Sequence, residues 1–221
     1  MKHVKILLLF VVIIGVQAKS ITWKKPKPLK SYTASAYTLK TGVAYFEIRE
    51  YVWDSTHEVN KNNYKVIVSS GKTPLKSFDK KIQKRFKSIA PNFSKKANIR
   101  KISGCLMSGC VFRQSNGFMI DDQQKIWRMN EVSDVVKYLG TIDTPAELKL
   151  LLWLNNEAHD EDKYQRTAKG YTVISEYDNS IDNFGECGHF VYRLKINKKG
   201  KITEKKLLKK TKSKNGCITA D

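Results

Sequence analysis

Tyr37–Asp54 reads YTLKTGVAYFEIREYVWD. In its second half, Tyr45, Glu47, Arg49 and Tyr51 fall on one side of an extended chain, and Phe46, Ile48, Glu50 and Val52 on the other. Successive side chains of a strand point to opposite faces, and β-branched and aromatic residues suit that pleated surface. The stretch therefore predicts a strand. Asn62-Asn63 marks a turn, and YKVIVSS, Tyr64–Ser70, predicts the partner strand of a hairpin.

The pattern then changes period. Leu75, Phe78, Ile82, Phe86 and Ile89 recur at spacings of three and four, the signature of a helix with one apolar stripe. Thr73 and Pro74 are placed to start it and Pro91 to end it, while Lys76, Lys80, Lys81, Lys84, Arg85 and Lys87 occupy the opposite face. Short strands are expected at Phe118–Ile120 and Lys125–Met129. A helix capped by Asn130 follows, with Val132, Val135, Val136 and Leu139 inward and Gly140 as its stop. Asp143-Thr144-Pro145 opens another helix, whose run of Leu148, Leu150, Leu151, Leu152, Trp153 and Leu154 predicts burial on most sides.

The last third reads as a meander over Lys163–Arg166, Tyr171–Tyr177, Phe190–Ile196 and Lys201–Lys209. Grouped strands and grouped helices give an α+β class: antiparallel sheets, a C-terminal β-meander and about three amphipathic helices packed on one side.

Working outward to the termini, Lys2 and Lys5 precede an apolar run, Ile6–Val16, and Val16-Gln17-Ala18 supplies small residues at a cleavage tripeptide. Basic, apolar, small is the order of a secretory signal, and the run is about half of what a spanning helix needs. Residues 1–18 are read as a cleaved signal, which predicts a periplasmic or secreted protein with no transmembrane segment after cleavage. Residues 19–34, basic and carrying Pro26 and Pro28, read as a linker or arm. Residues 35–221 read as the globular domain, with a possible division into two subdomains near 91–100.

Cleavage would leave 203 of the 221 residues, with 39 Lys and Arg against 21 Asp and Glu, a formal charge of +18. Aromatic content of 10% argues against disorder. Four cysteines follow the signal: Cys105 and Cys110 in SGCLMSGC, then Cys187 and Cys217. An even count in an exported chain predicts disulfides. We pair Cys105 with Cys110, where Gly104 and Gly109 ease a tight turn, and Cys187 with Cys217, which would tie the chain end to the body. The C-x4-C and C-x29-C spacings fit neither zinc nor redox motifs.

Catalytic motifs fail individually. Ser69–Thr73, SSGKT, lacks the glycine a phosphate loop needs, since that position holds Val66. Ser69–Lys72 and Ser77–Lys80 match S-x-x-K without its companion motifs, in a chain where lysine is abundant. Cys187 and His189 would make a thiol–imidazole pair only on a bent backbone. Glu157–Asp162, EAHDED, is the one dense acidic run. It offers hard ligands without calcium-loop spacing, and is otherwise a solvated loop or an internal partner for the basic surface. No catalytic residue, metal, cofactor or nucleotide is assigned; an envelope enzyme or metal binder using Cys187 and His189, or the acidic run, is the alternative.

The basic surplus is the strongest functional signal. Lys80 and Lys84 on the amphipathic helix, and Lys198, Lys199, Lys205, Lys206, Lys209 and Lys210 near the C-terminus, are the anion-binding candidates. Lysine gives diffuse attraction rather than bidentate recognition. The partners expected are an anionic polymer, an acidic lipid surface or an acidic protein.

Overall fold

The computed structural model describes residues 22–54, 64–90, 100–103, 111–179, 181–182, 188–212 and 218–219. In chain order the regular elements begin β1 (Val43–Asp54), β2 (Tyr64–Gly71), α1 (Lys80–Lys87), β3 (Arg100–Ser103), β4 (Val111–Asp121) and β5 (Ile126–Met129). Two helices follow, α2 (Val132–Leu139) and α3 (Pro145–Leu154). The remainder is β6 (Lys163–Thr167), β7 (Gly170–Asn179), β8 (Ile181–Asp182), β9 (Gly188–Asn197), β10 (Ile202–Thr211) and β11 (Ile218–Thr219).

The first sheet is antiparallel in the order β2-β1-β4-β3, and β5 pairs with β4 beyond the end of β3. The second sheet, β10-β9-β7-β6, is the expected meander. β8 and β11 form a short parallel pair. The α+β class read from the sequence is the class of the molecule.

The alternation of Tyr37–Asp54 divides the first sheet into two working faces. Phe46, Ile48, Val68 and Met119 join α2, α3 and the second sheet's Val173, Leu194 and Ile196 in one core. Tyr45, Phe118 and Ile120 instead meet Phe86 of α1, with Leu75, Phe78, Ile82 and Ile89 around it. Thus α1 lies on the opposite face of the first sheet from α2 and α3. The apolar stripe is as read, but the start of the helix moves. Leu75–Ser77 forms a separate 3-10 turn, and Asp79 caps α1 by accepting from Lys81 N at 2.7 Å. The extended backbone at Phe78 breaks the run that Pro74 begins.

The apolar helix is enclosed as expected: all its residues from Ala146 to Leu154 except Trp153 are buried. Each buried leucine contributes about 1.5–3 kcal/mol of transfer free energy. Thr144 caps α3, and the buried Glu147 carboxylate accepts from Thr38 N, Asp143 N and Thr144 N at 2.6, 2.8 and 2.9 Å. One carboxylate thus satisfies the helix start and ties the segment before β1 to it. Asn130 is not the cap of α2. Glu131 is, reciprocated by Asp134.

The described part of the arm meets the second sheet at Lys24 and then passes β2 and α3 at a 3-10 turn, Leu29–Ser31. Lys24 exchanges backbone hydrogen bonds with Tyr164 at 2.9 and 2.7 Å, on the outer edge of β6. Lys25 pairs with Glu161. Among the described residues no helix is long and apolar enough to cross a membrane.

Candidate anion-binding surface

The eight lysines singled out above do not converge on one face. Lys80 and Lys84 belong to the exposed side of α1, over the first sheet. Lys205, Lys206, Lys209 and Lys210 belong to β10, the edge strand of the second sheet. A strand deals its side chains alternately, and β10 is also bulged between Ile202 and Glu204 and between Leu207 and Lys209. Lys206 therefore lies opposite Arg193 and Lys209 opposite Val191, while Lys205 and Lys210 lie opposite Leu194 and Phe190 on the other face.

The two faces differ chemically. Lys205 and Lys210 stand over the rings of Tyr192 and Phe190, at 4.9 and 5.1 Å. Those rings continue a stacked ladder through Tyr177 to His159, the last step at 4.3 Å. Lys205 is also neutralised by Glu157 at 2.7 Å. On the outer face Glu204 binds both Arg193 and Lys195, and these bonds, that of Lys195 foremost, hold its carboxyl below the usual range. The edge is thus only partly a free positive surface. Lysines and bulges there also suppress strand-to-strand self-association.

Lys198 and Lys199 sit in the turn joining β9 to β10, and this turn builds a site. Gly200 takes φ +74°, and a β-carbon there would lie 3.0 Å from Val136, so the turn presses directly on α2. Lys198 O accepts from Ile142 N at 2.8 Å, and Lys40 N donates to Tyr138 O at 3.0 Å. These contacts gather Lys40, Lys137, Lys199 and Lys201 from three separate segments around a groove of about 770 Å³. Val132, Val136 and Ile202 line it too, and none of its lining residues is acidic. Four ammonium groups with no carboxylate among them favour an anion, and the apolar lining lowers the local dielectric and strengthens the attraction. Lys40 and Lys137 escaped the sequence reading because each is isolated in the chain. The only local signal was Gly200 flanked by lysines.

The acidic run is consumed by the fold. Asp162, buried, accepts from Lys149 Nζ at 3.3 Å and from His159 N at 2.8 Å, and Lys149 Nζ donates to His159 O at 2.8 Å. Glu157 and Glu161 hold Lys205 and Lys25. Internal pairing with the basic surface, one of the three options read from the sequence, is what the structure contains. No group of three or more His, Cys, Asp or Glu that could hold a metal occurs among the described residues. Burial lowers the pKa of the His159 imidazole, with Asp162 and Glu157 opposing.

One polar cluster had no forecast. Arg49 is fully buried, paired with Glu47, and faced by the rings of Tyr64, Phe86 and Phe118 at 4.4, 4.8 and 4.6 Å. Glu47 also accepts from the Tyr45 hydroxyl, and burial pushes that phenol up. A guanidinium with no exposed surface meets no substrate, so the cluster serves the packing of α1 on the sheet. His189 Nδ1 lies 3.1 Å from Asp178. Cys105, Cys110, Cys187 and Cys217, on which the thiol–imidazole and disulfide readings rest, lie outside the described residues. Comparison with protein-family models, with curated proteins and with solved structures finds no match.

Proposed function

We propose that this chain is an exported, non-enzymatic binding protein whose lysine-rich surface holds an anionic polymer of the cell envelope. The observation that carries this is the groove at the β9–β10 turn, where Lys40, Lys137, Lys199 and Lys201 meet without a carboxylate in the lining. A binding role needs convergent charge and a shaped surface, and both are there. The engagement of Glu157, Glu161 and Asp162 in internal ion pairs supports this reading over a metal site on the acidic run. Export rests on the order of residues 1–18 and on the even cysteine count.

Two described pairings support the proposed disulfides. Ser103 opposite Phe112 holds both ends of the segment carrying Cys105 and Cys110 one strand spacing apart. Ile218 opposite Ile181 brings the residue after Cys217 beside the strand that precedes Cys187.

The test is retention of the intact protein on a carboxylated polysaccharide matrix in steps of salt. Retention should fall steeply as the Debye length shrinks. The triple variant Lys137→Glu, Lys199→Glu, Lys201→Glu should elute at clearly lower salt than Lys206→Glu, Lys209→Glu. Equal elution of the two variants would remove the groove as the binding surface.

A further inference from the structure

The outer side of α1 is a second cationic surface, and its shape differs from that of the groove. Lys80, Lys81, Lys84, Arg85 and Lys87 are all exposed, with Lys72 and Lys76 just before them. At 3.6 residues per turn the five on the helix fan over an arc of about 160°. Asp79, the one acid between Lys72 and Lys87, turns its carboxylate to Lys81 N at 2.7 Å. Among the described residues no ion pair includes any of these seven cations. Arg128, whose Nη2 donates to Ala90 O at 2.8 Å, adds an exposed cation beside the segment that follows the helix. The apolar stripe of α1 is already engaged. Phe86 is fully buried with Tyr45 and Phe118, and Arg49 Nη2 donates to Phe86 O at 3.1 Å. Gln83 Nε2 donates to Lys76 O and Phe78 O, which ties the helix to the turn before it. The recess along Lys80, Gln83, Lys84, Lys87 and Ser88 is lined, among the described residues, by this helix alone.

The groove has walls from three segments and suits a chain lying along it. A fan of cations with no opposing wall suits a plane of negative charge, and long lysine stems turn their ammonium groups toward one such plane. We propose that α1 docks on the surface of an acidic phospholipid bilayer, its lysines over the phosphate headgroups and its apolar stripe still packed on the first sheet. Binding is then electrostatic and peripheral. Each lysine near an anionic membrane surface adds a similar increment, and nothing apolar inserts. The proposal is independent of the polymer reading. α1 and α2 lie on opposite faces of the first sheet, so one molecule can meet a lipid surface on one side and hold polymer in the groove on the other.

Co-sedimentation of the intact protein with vesicles tests this, with phosphatidylcholine alone compared against an equal mixture with phosphatidylglycerol. Binding is expected only to the mixed vesicles at low salt, with release at high salt. Lys80→Glu, Lys84→Glu, Lys87→Glu should weaken it by about a hundredfold or more. These are exposed positions where glutamate keeps the helix propensity of lysine, so the fold is expected to survive. Lys137→Glu, Lys199→Glu, Lys201→Glu removes the same charge from the groove and should weaken vesicle binding by no more than about threefold. The two variants have equal net charge, so equal losses would show attraction by overall charge and overturn the proposal. Equal binding to both kinds of vesicle, or no binding at low salt, would overturn it too. Loss of retention on the carboxylated matrix by the α1 variant, with vesicle binding unchanged, would make α1 a second polymer site instead. If the vesicles are not bound while the groove variant still loses retention on the matrix, α1 docking falls and the polymer reading stands. If the vesicles are bound and matrix retention is absent, the polymer reading falls and α1 docking stands.

Discussion

At the scale of single residues, what matters is how this basic chain deploys its few buried charges. Glu47 is matched to Arg49, Glu147 to three backbone amides, and Asp162 to Lys149 and His159 N. Each is paired because an isolated buried charge costs several kcal/mol. His159 is different, since burial favours its neutral form in the folded state. Asp162, Glu157, Lys149 and Lys205 surround it electrostatically, and the Tyr177 ring stacks on it. Its folded pKa lies below the unfolded value, so the unfolded chain binds more protons in that window. Stability should therefore decline as pH falls through the unfolded histidine value of about 6.5 toward the lower folded one. Urea unfolding across pH 5–8 checks this: His159→Gln should flatten the slope, and an unchanged slope would assign the titration elsewhere.

At the scale of elements, legibility followed the regularity of the pattern. β1, α3 and the meander were readable because their apolar residues keep a period of two or form a run longer than a strand. β4 was half missed. Its VFRQSNG portion buries Gln114, Ser115 and Asn116, with Asn116 directly opposite Arg49, so inward positions carry no apolar signal. β3 is four residues, RKIS, and has no signature of its own. The groove was hidden for another reason: its lysines come from three segments that only the tertiary fold brings together. The β3–β4 and β8–β11 pairings carry their own prediction. A non-reduced peptide map should link Cys105 to Cys110 and Cys187 to Cys217. Serine replacement of the first pair should cost about 2 kcal/mol, and of the second, which closes a longer loop, about 3.7 kcal/mol. Free thiols or crossed links in the map would contradict the pairing.

At the scale of the whole molecule, charge is distributed with some economy. The acidic loop and Glu204 neutralise Lys25, Lys149, Arg193, Lys195 and Lys205, while among the described residues the lysines of the groove and of α1 have no carboxylate in ion-pair reach. The surplus of +20 in the full sequence is therefore not evenly spread attraction. At the β9–β10 turn four lysines are gathered around a groove with apolar walls and no acidic lining residue.

Hydrogen–deuterium exchange, with and without a carboxylated polysaccharide at low salt, tests that claim most directly. Slower exchange is predicted over residues 131–142 and 197–202, the two segments that supply most of the groove, and it should vanish at high salt. Unchanged exchange in both segments, with protection confined to α1 or to the outer part of β10, would contradict the account.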